Sequence, residues 1–372
     1  WKRSEQGVRG TARVLAHDIL VKKFRTGEVD LALEVTPDRL TLTRGTLDVE
    51  RRGGHCAFHG TLGLHDDLPV DAQIEIQHLE FGALMAQLGV SDGSLVAWKM
   101  DASTHVRGQI LPLAIEGPMH LFTRDFEVTK DSYLAVPHEH VVGVETAHFE
   151  THLAFRPDGV HFERIDAQLP RTHIEGDVLL GFNDDLRVHA RSDHIDVRDA
   201  TPLLEFPVEG VGTATVEIGG KFNDPTVRGT VALAGFVFDR KPLGDVHADE
   251  WHLEKGGELA RFRELVGEYH SSRYRIGDFV LDFSDNRFLM AGHAQLEGLA
   301  LADFYEMIGD GGDERFTPYQ GLVTGRSEVR FTSGFPNDAP GGTIVASLDL
   351  HIPTATLNDY AFEDGRLVGE YR

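Results

Sequence analysis

With 60 acidic against 36 basic side chains over 372 residues, a formal charge of −24, the chain offers no basic face for nucleic acid or for anionic lipid headgroups. No run of about 18 apolar residues occurs, so no segment reads as a membrane-spanning helix. The single cysteine, Cys56, excludes an internal disulfide framework, and a start at Trp1 rather than Met reads as a processed product or an excised fragment.

Taken in chain order, the predicted elements are almost all strands. Alternation is imperfect around Ala12 to Leu20 and becomes regular at Val29, Leu31, Leu33 and Val35. After the turn signal Pro37-Asp38, Leu40 and Leu42 start the return strand of a hairpin. Val70, Ala72, Ile74 and Ile76 then alternate with Asp71, Gln73, Glu75 and Gln77. An anchor residue, Leu79, is followed by Phe81, Leu84 and Leu88, whose spacing predicts a short amphipathic helix of about two turns. Ala147, Phe149, Leu153 and Phe155 share a phase with Thr151 and oppose His148, Glu150 and His152. Val188 lies in a further alternating strand, and Ile195 with Val197, Ala200 and Leu204 predicts a second short helix. Val231, Leu233, Leu281 and Phe283 continue the apolar phase, and Leu299 with Leu301, Phe304 and Ile308 predicts a third helix. Ile344, Leu348 and Leu350 close the series, opposing Ser347, Asp349 and His351. Period-two alternation with charge on one side means antiparallel sheet with one dry and one wet face.

The elements repeat. Residues 33–44, LEVTPDRLTLTR, align without gaps on 153–164, LAFRPDGVHFER, and a weaker copy places Leu281, Phe283, Asp285-Asn286, Phe288 and Met290 in the same slots. Residues 60–88 align on 176–204. Self-similarity at a near-fixed period predicts a modular, extended body rather than separate compact domains. The expected fold is all-β: one elongated antiparallel β-groove over 1–372, a taco-like curled sheet built from three related repeats (about 1–145, 146–270 and 271–372), with short capping helices.

No catalytic constellation is evident: there is no nucleophile elbow, phosphate-binding glycine loop or His-Glu-x-x-His helix, so neither an enzyme nor a cofactor is expected. The candidate metal ligands, His138-Glu139-His140 and the group His55, Cys56 and His59, read better as wet-face residues, as do His148, His152 and His351. Asp66-Asp67 and Asp184-Asp185 read as solvated turns. The apolar face is then the feature with functional content. It either closes into a sandwich or lines an open trough, and an open trough needs an apolar occupant such as an acyl chain.

Residues 186–247 carry a family resemblance. Gly219-Gly220, Asp224-Pro225-Thr226-Val227, Gly229 and Gly244 resemble the recurring repeat of the AsmA-like superfamily, and within it of the TamB-type periplasmic proteins. That resemblance implies a tapered β-groove between the inner and outer membranes of a Gram-negative envelope, non-enzymatic phospholipid transport, and no catalytic residues. It also implies an N-terminal anchor in the inner membrane, expected outside this chain as if the chain were an internal segment of a longer protein, and an outer-membrane protein as a further candidate partner. The lining residues expected to meet phospholipid acyl chains are Val29, Leu31, Leu33, Val35, Leu40, Leu42, Val70, Ala72, Ile74, Ile76, Phe149, Leu153, Phe155, Val188, Val231, Leu233, Leu281, Phe283, Ile344, Leu348 and Leu350. Two other classes stay open: a periplasmic scaffold for outer-membrane protein assembly, working through strand edges, and an extracellular β-sandwich binding module.

Overall fold

The computed structural model describes the chain apart from residues 1, 5–6, 19, 22–23, 50–53, 81–95, 130–139, 200–207, 222–223, 239, 255–258, 283–286, 308–318, 335–342, 358–359 and 372. The described residues form twenty-two strands, with one α-helix among them. Twenty of the strands make antiparallel sheet, and that sheet does not close into a barrel. The all-β, antiparallel, unclosed architecture expected from the alternation is what the structure shows.

The chain divides into two compact units, Trp1–Arg187 with Asp199–Leu203, and Val188–Arg198 with Leu204–Arg372. The first contains β1 (Lys2–Ser4), β2 (Gly7–His17), β3 (Leu20–Val21), β4 (Phe24–Val35), β5 (Arg39–Val49), β6 (His55–Gly63), β7 (Pro69–Glu80), β8 (Val96–Gln109), β9 (Ala114–Thr129), β10 (His140–Arg156), β11 (Gly159–Gln168) and β12 (His173–Gly181). From β4 to β12 each strand pairs antiparallel with the next. The second takes in most of β13 (Leu186–Asp196), then β14 (Val208–Lys221), β15 (Asp224–Phe238), β16 (Lys241–Glu254), β17 (Leu259–Tyr269), β18 (Ser272–Asp282), β19 (Arg287–Ala300), α1 (Leu301–Met307), β20 (Tyr319–Gly334), β21 (Thr343–Leu357) and β22 (Tyr360–Tyr371). It is again a meander of neighbours, β13 to β22.

The sequence repeat has a physical counterpart in the pairing. Leu33 faces Leu42, Leu153 faces Phe162 and Leu281 faces Met290, the same two slots in each copy. The turns Pro37-Asp38 and Pro157-Asp158 are fastened alike: the Asp38 carbonyl accepts from the Leu64 amide at 2.8 Å, and that of Asp158 from Phe182 at 3.0 Å. The copies differ in their distance from the helix. β4–β5 and β10–β11 each precede a second hairpin-forming pair, whereas β18–β19 leads directly into α1.

A bulge precedes every anchor residue. The register shifts between Ile76 and Leu79, between Ser192 and Ile195, and between Glu297 and Leu299. Strict alternation would turn Leu79, Ile195 and Leu299 outward; one extra residue restores them to the apolar face. Leu79 and Leu299 end up 6 % and 4 % exposed. At two of the bulges the backbone enters the left-handed region, at His78 (φ 55°) and at Gly298 (φ 102°).

Of the three expected helices, the first, after Leu79, lies outside the described residues. The second is described only as a single 3-10 turn, Val197–Asp199, and the third is α1. Its position shows how the second unit curls. The helix touches β16, β19 and β20, and Met307 packs on the core of Leu233, Val246 and Tyr274. Strands β16 and β20 are four spacings apart, about 19 Å in a flat sheet. Seven helical residues span only about 10 Å. The sheet therefore bends around the helix, with its apolar face on the inside.

Candidate functional site

The lining residues named from the sequence fall on one face of each unit, and the register shows them in continuous transverse levels. In the first unit one level runs Val35, Leu40, Leu62, Val70, Gly108, Ile115, Phe155, Val160 and Leu180 across nine strands. Another runs Val29, Leu47, Cys56, Ile76, Ala102, Leu121, Phe149, Ala167 and Ile174. Leu33, Leu42 and Ala72, and Leu31 and Ile74, occupy the levels between them. A depression of about 370 Å³ lies across β7–β10 at the Ile76, Ala102, Leu121, Phe149 level, bordered by Glu75, His120 and Glu150 among others.

The second unit repeats the arrangement. Val188, Ile218, Val227, Leu253, Ala260, Leu281, Met290, Phe331 and Ile344 form one level over nine strands. Ile195, Gly212, Leu233, Val246, Gly267, Tyr274, Leu296, Gly325, Leu350 and Leu367 form a second, and Val231 and Leu348 share a third. Phe283 lies outside the described residues, and Ile344 and Leu348 are described in their backbone alone.

Burial shows that these faces are only partly covered. Val29, Leu153 and Leu233 are 6 %, 6 % and 8 % exposed, while every other named position with a described side chain is half-buried. The chain exposes 22344 Å², against about 14,700 Å² for a compact protein of its 41.2 kDa. A closed sandwich would hide such positions almost completely.

The wet face carries the histidines, and carboxylates hold them. His55 meets Asp48 at 2.7 Å, His105 meets Asp71 at 2.7 Å, and His351 meets Asp364 at 2.7 Å. His148 is exposed beside the Phe122 ring, and His152 is half-buried with Glu116 at 3.5 Å. Pleating splits the group of His55, Cys56 and His59, because Cys56 points to the apolar side and its neighbour to the other. Burial pushes the Cys56 thiol up, with Asp48 adding to the shift, so the group is poorly suited to thiolate chemistry. His138-Glu139-His140 lies outside the described side chains. Among the described residues no three His, Cys, Asp or Glu side chains gather as metal ligands. Asp66-Asp67 and Asp184-Asp185 sit in turns, where the Asp67 carbonyl accepts from the Ile110 amide at 3.2 Å and the Asp184 amide donates to Gly181 at 3.2 Å.

Two buried carboxylates that sequence reasoning passed over tether the short helices. Asp199 accepts from the backbone amide of Arg171 at 2.7 Å and from its guanidinium at 3.2 Å. Asp303 accepts a short hydrogen bond from the Ser272 hydroxyl, 2.5 Å, and lies 3.1 Å from the His270 ring. Ser272 in turn accepts from the Ala300 amide at 2.9 Å. Each carboxylate stands four residues after its anchor, Ile195 or Leu299, and reaches the turn before the preceding strand pair. That common offset was a signal available in the sequence. Alongside Asp303, the Tyr269 hydroxyl donates to Glu306 at 2.7 Å, which pushes the phenol up to about 12.

No protein-family model matches this chain, and no curated protein matches it at a significant level.

Proposed function

We propose that the chain is a non-enzymatic carrier of phospholipid, sheltering acyl chains on the apolar face of its unclosed sheet. The observation that supports this reading best is the pair of unbroken apolar levels spanning nine strands of the first unit, on a face that stays half-buried. Each methylene sheltered there gains about 0.8 kcal/mol. Successive levels offer near-equivalent positions, so a chain slides between them without crossing a large barrier. The resemblance carried by residues 186–247 supplies the setting: the periplasm of a Gram-negative envelope, transport between inner and outer membranes, and an anchor outside this chain. Lipid co-purifying from an envelope-containing host, identified by native mass spectrometry, tests the proposal. One or more phospholipids per chain are expected, and a lipid-free, well-folded protein would overturn it.

One observation favours a second reading. Among the described residues β22 pairs on one side only, with β21, and it exposes Tyr360, Phe362, Leu367 and Val368. An open apolar edge accepts a further strand, as a scaffold for outer-membrane protein assembly would require. Crosslinks from Val368 to a client strand would support it.

A further inference from the structure

We propose that Ser192 and Ser327 form a polar register on the apolar face of the second unit, which receives the ester carbonyls of an acyl ester. This rests on the lipid-carrier reading above and narrows its ligand. Both side chains lie on the dry face, in phase with Val188 and Ala190 and with Val323, while Arg191 and Arg326 point the other way. They are 7 % and 8 % exposed, and neither hydroxyl has a hydrogen-bond partner. No other buried hydroxyl among the described residues is in that position. Threonines elsewhere in the sheet satisfy themselves on carbonyls, Thr104 on Pro118 at 2.9 Å and Thr151 on Glu163 at 3.0 Å.

The two serines also share one transverse level. Ser192 pairs with Ala214, Ala214 with Val231, and Val231 with Ala248. The register that sets Val246 against Gly267 puts Ala248 opposite Leu265. Leu265 then pairs with Ile276, Ile276 with Ala294, and Ala294 with Ser327. Alanines at three points of this level leave room above the sheet that larger side chains would fill. A buried hydroxyl without a partner carries a desolvation cost that an incoming acceptor removes. The acceptor must be neutral: the basic side chains flanking the serines lie on the opposite face, so a carboxylate would enter uncompensated. An ester carbonyl meets that requirement and a free fatty acid does not.

The test compares dioleoyl phosphatidylcholine with its di-ether analogue, which lacks both carbonyls, by native mass spectrometry on the full chain, alongside Ser192→Ala, Ser327→Ala and the double variant. We expect the wild type to prefer the ester by about five-fold per hydrogen bond, and roughly 25-fold for two. The double variant should bind both lipids equally, with an unchanged or slightly raised melting temperature, since it loses only unpartnered hydroxyls. Equal binding of ester and ether by the wild type would overturn the serine register while leaving the carrier reading intact. Absence of either lipid from the wild type would overturn both. Oleate binding as tightly as the ester would also overturn the choice of a neutral acceptor.

Discussion

Gly267 lies beneath the ring of Tyr274, which crosses β17 to donate its hydroxyl to the Leu243 carbonyl at 2.6 Å. A Cβ at Gly267 would overlap that ring, so the tyrosine lies across the strand only because glycine is there. Gly267→Ala is expected to destabilise by about 1–3 kcal/mol through overpacking, and Tyr274→Phe by about 1 kcal/mol through the lost bond. Urea unfolding followed by tryptophan fluorescence measures both; equal stability of Gly267→Ala and wild type would show that the ring moves freely. On the wet face, hydrogen bonds from Arg13 hold Asp30 below its ordinary range, and His105 does the same for Asp71. A depressed carboxylate stabilises the fold above its unfolded pKa, and that contribution is lost as pH falls through the folded value. Stability should thus hold from pH 7 to 5 and decline below about 4. Asp30→Asn should flatten that acid limb, which thermal melts across the range would reveal.

The bulges and the tethered helices work at the scale of elements. Each bulge changes the phase of a strand within its last residues, so the anchor and the helix following it join the apolar side. For α1, hydrophobic packing of Met307 and the bonds from Ser272 and Tyr269 hold the helix across the bend. Asp303→Ala leaves the Ser272 hydroxyl, at 0 % exposure, without its carboxylate. The expected loss is about 1–3 kcal/mol, local to the helix. Hydrogen exchange should quicken over 301–307 while β14–β17 stays protected, and uniform quickening would mean that the tether supports the whole unit.

At the scale of the molecule, the transverse levels turn isolated strand patterns into a continuous surface. Ile74→Asp places a charge on that surface in the first unit, and Leu281→Asp does so in the second. On an open face the carboxylate keeps access to water, so the fold is expected to survive with about 1–3 kcal/mol lost while bound lipid falls severalfold. Circular dichroism on heating and lipid counting by mass spectrometry read the two effects separately. Complete unfolding of Ile74→Asp would show the face to be closed over at that point.

The sequence by itself determined the strands, their inward phase and the repeat, because alternation at period two and turn residues are local properties of the chain. Leu33 and Leu42, or Leu153 and Phe162, were legible as partners from their spacing about Pro-Asp alone. Where alternation broke, before Leu79, Ile195 and Leu299, the anchors were visible but the bulges producing them were not, since an inserted residue is recognised only against a neighbouring strand. The tether of Asp303 to Ser272, the bend around α1 and the shared level of Ser192 and Ser327 were decided by tertiary structure. These depend on which strands lie side by side and how far the sheet curls, and both are set by contacts between residues far apart in the chain.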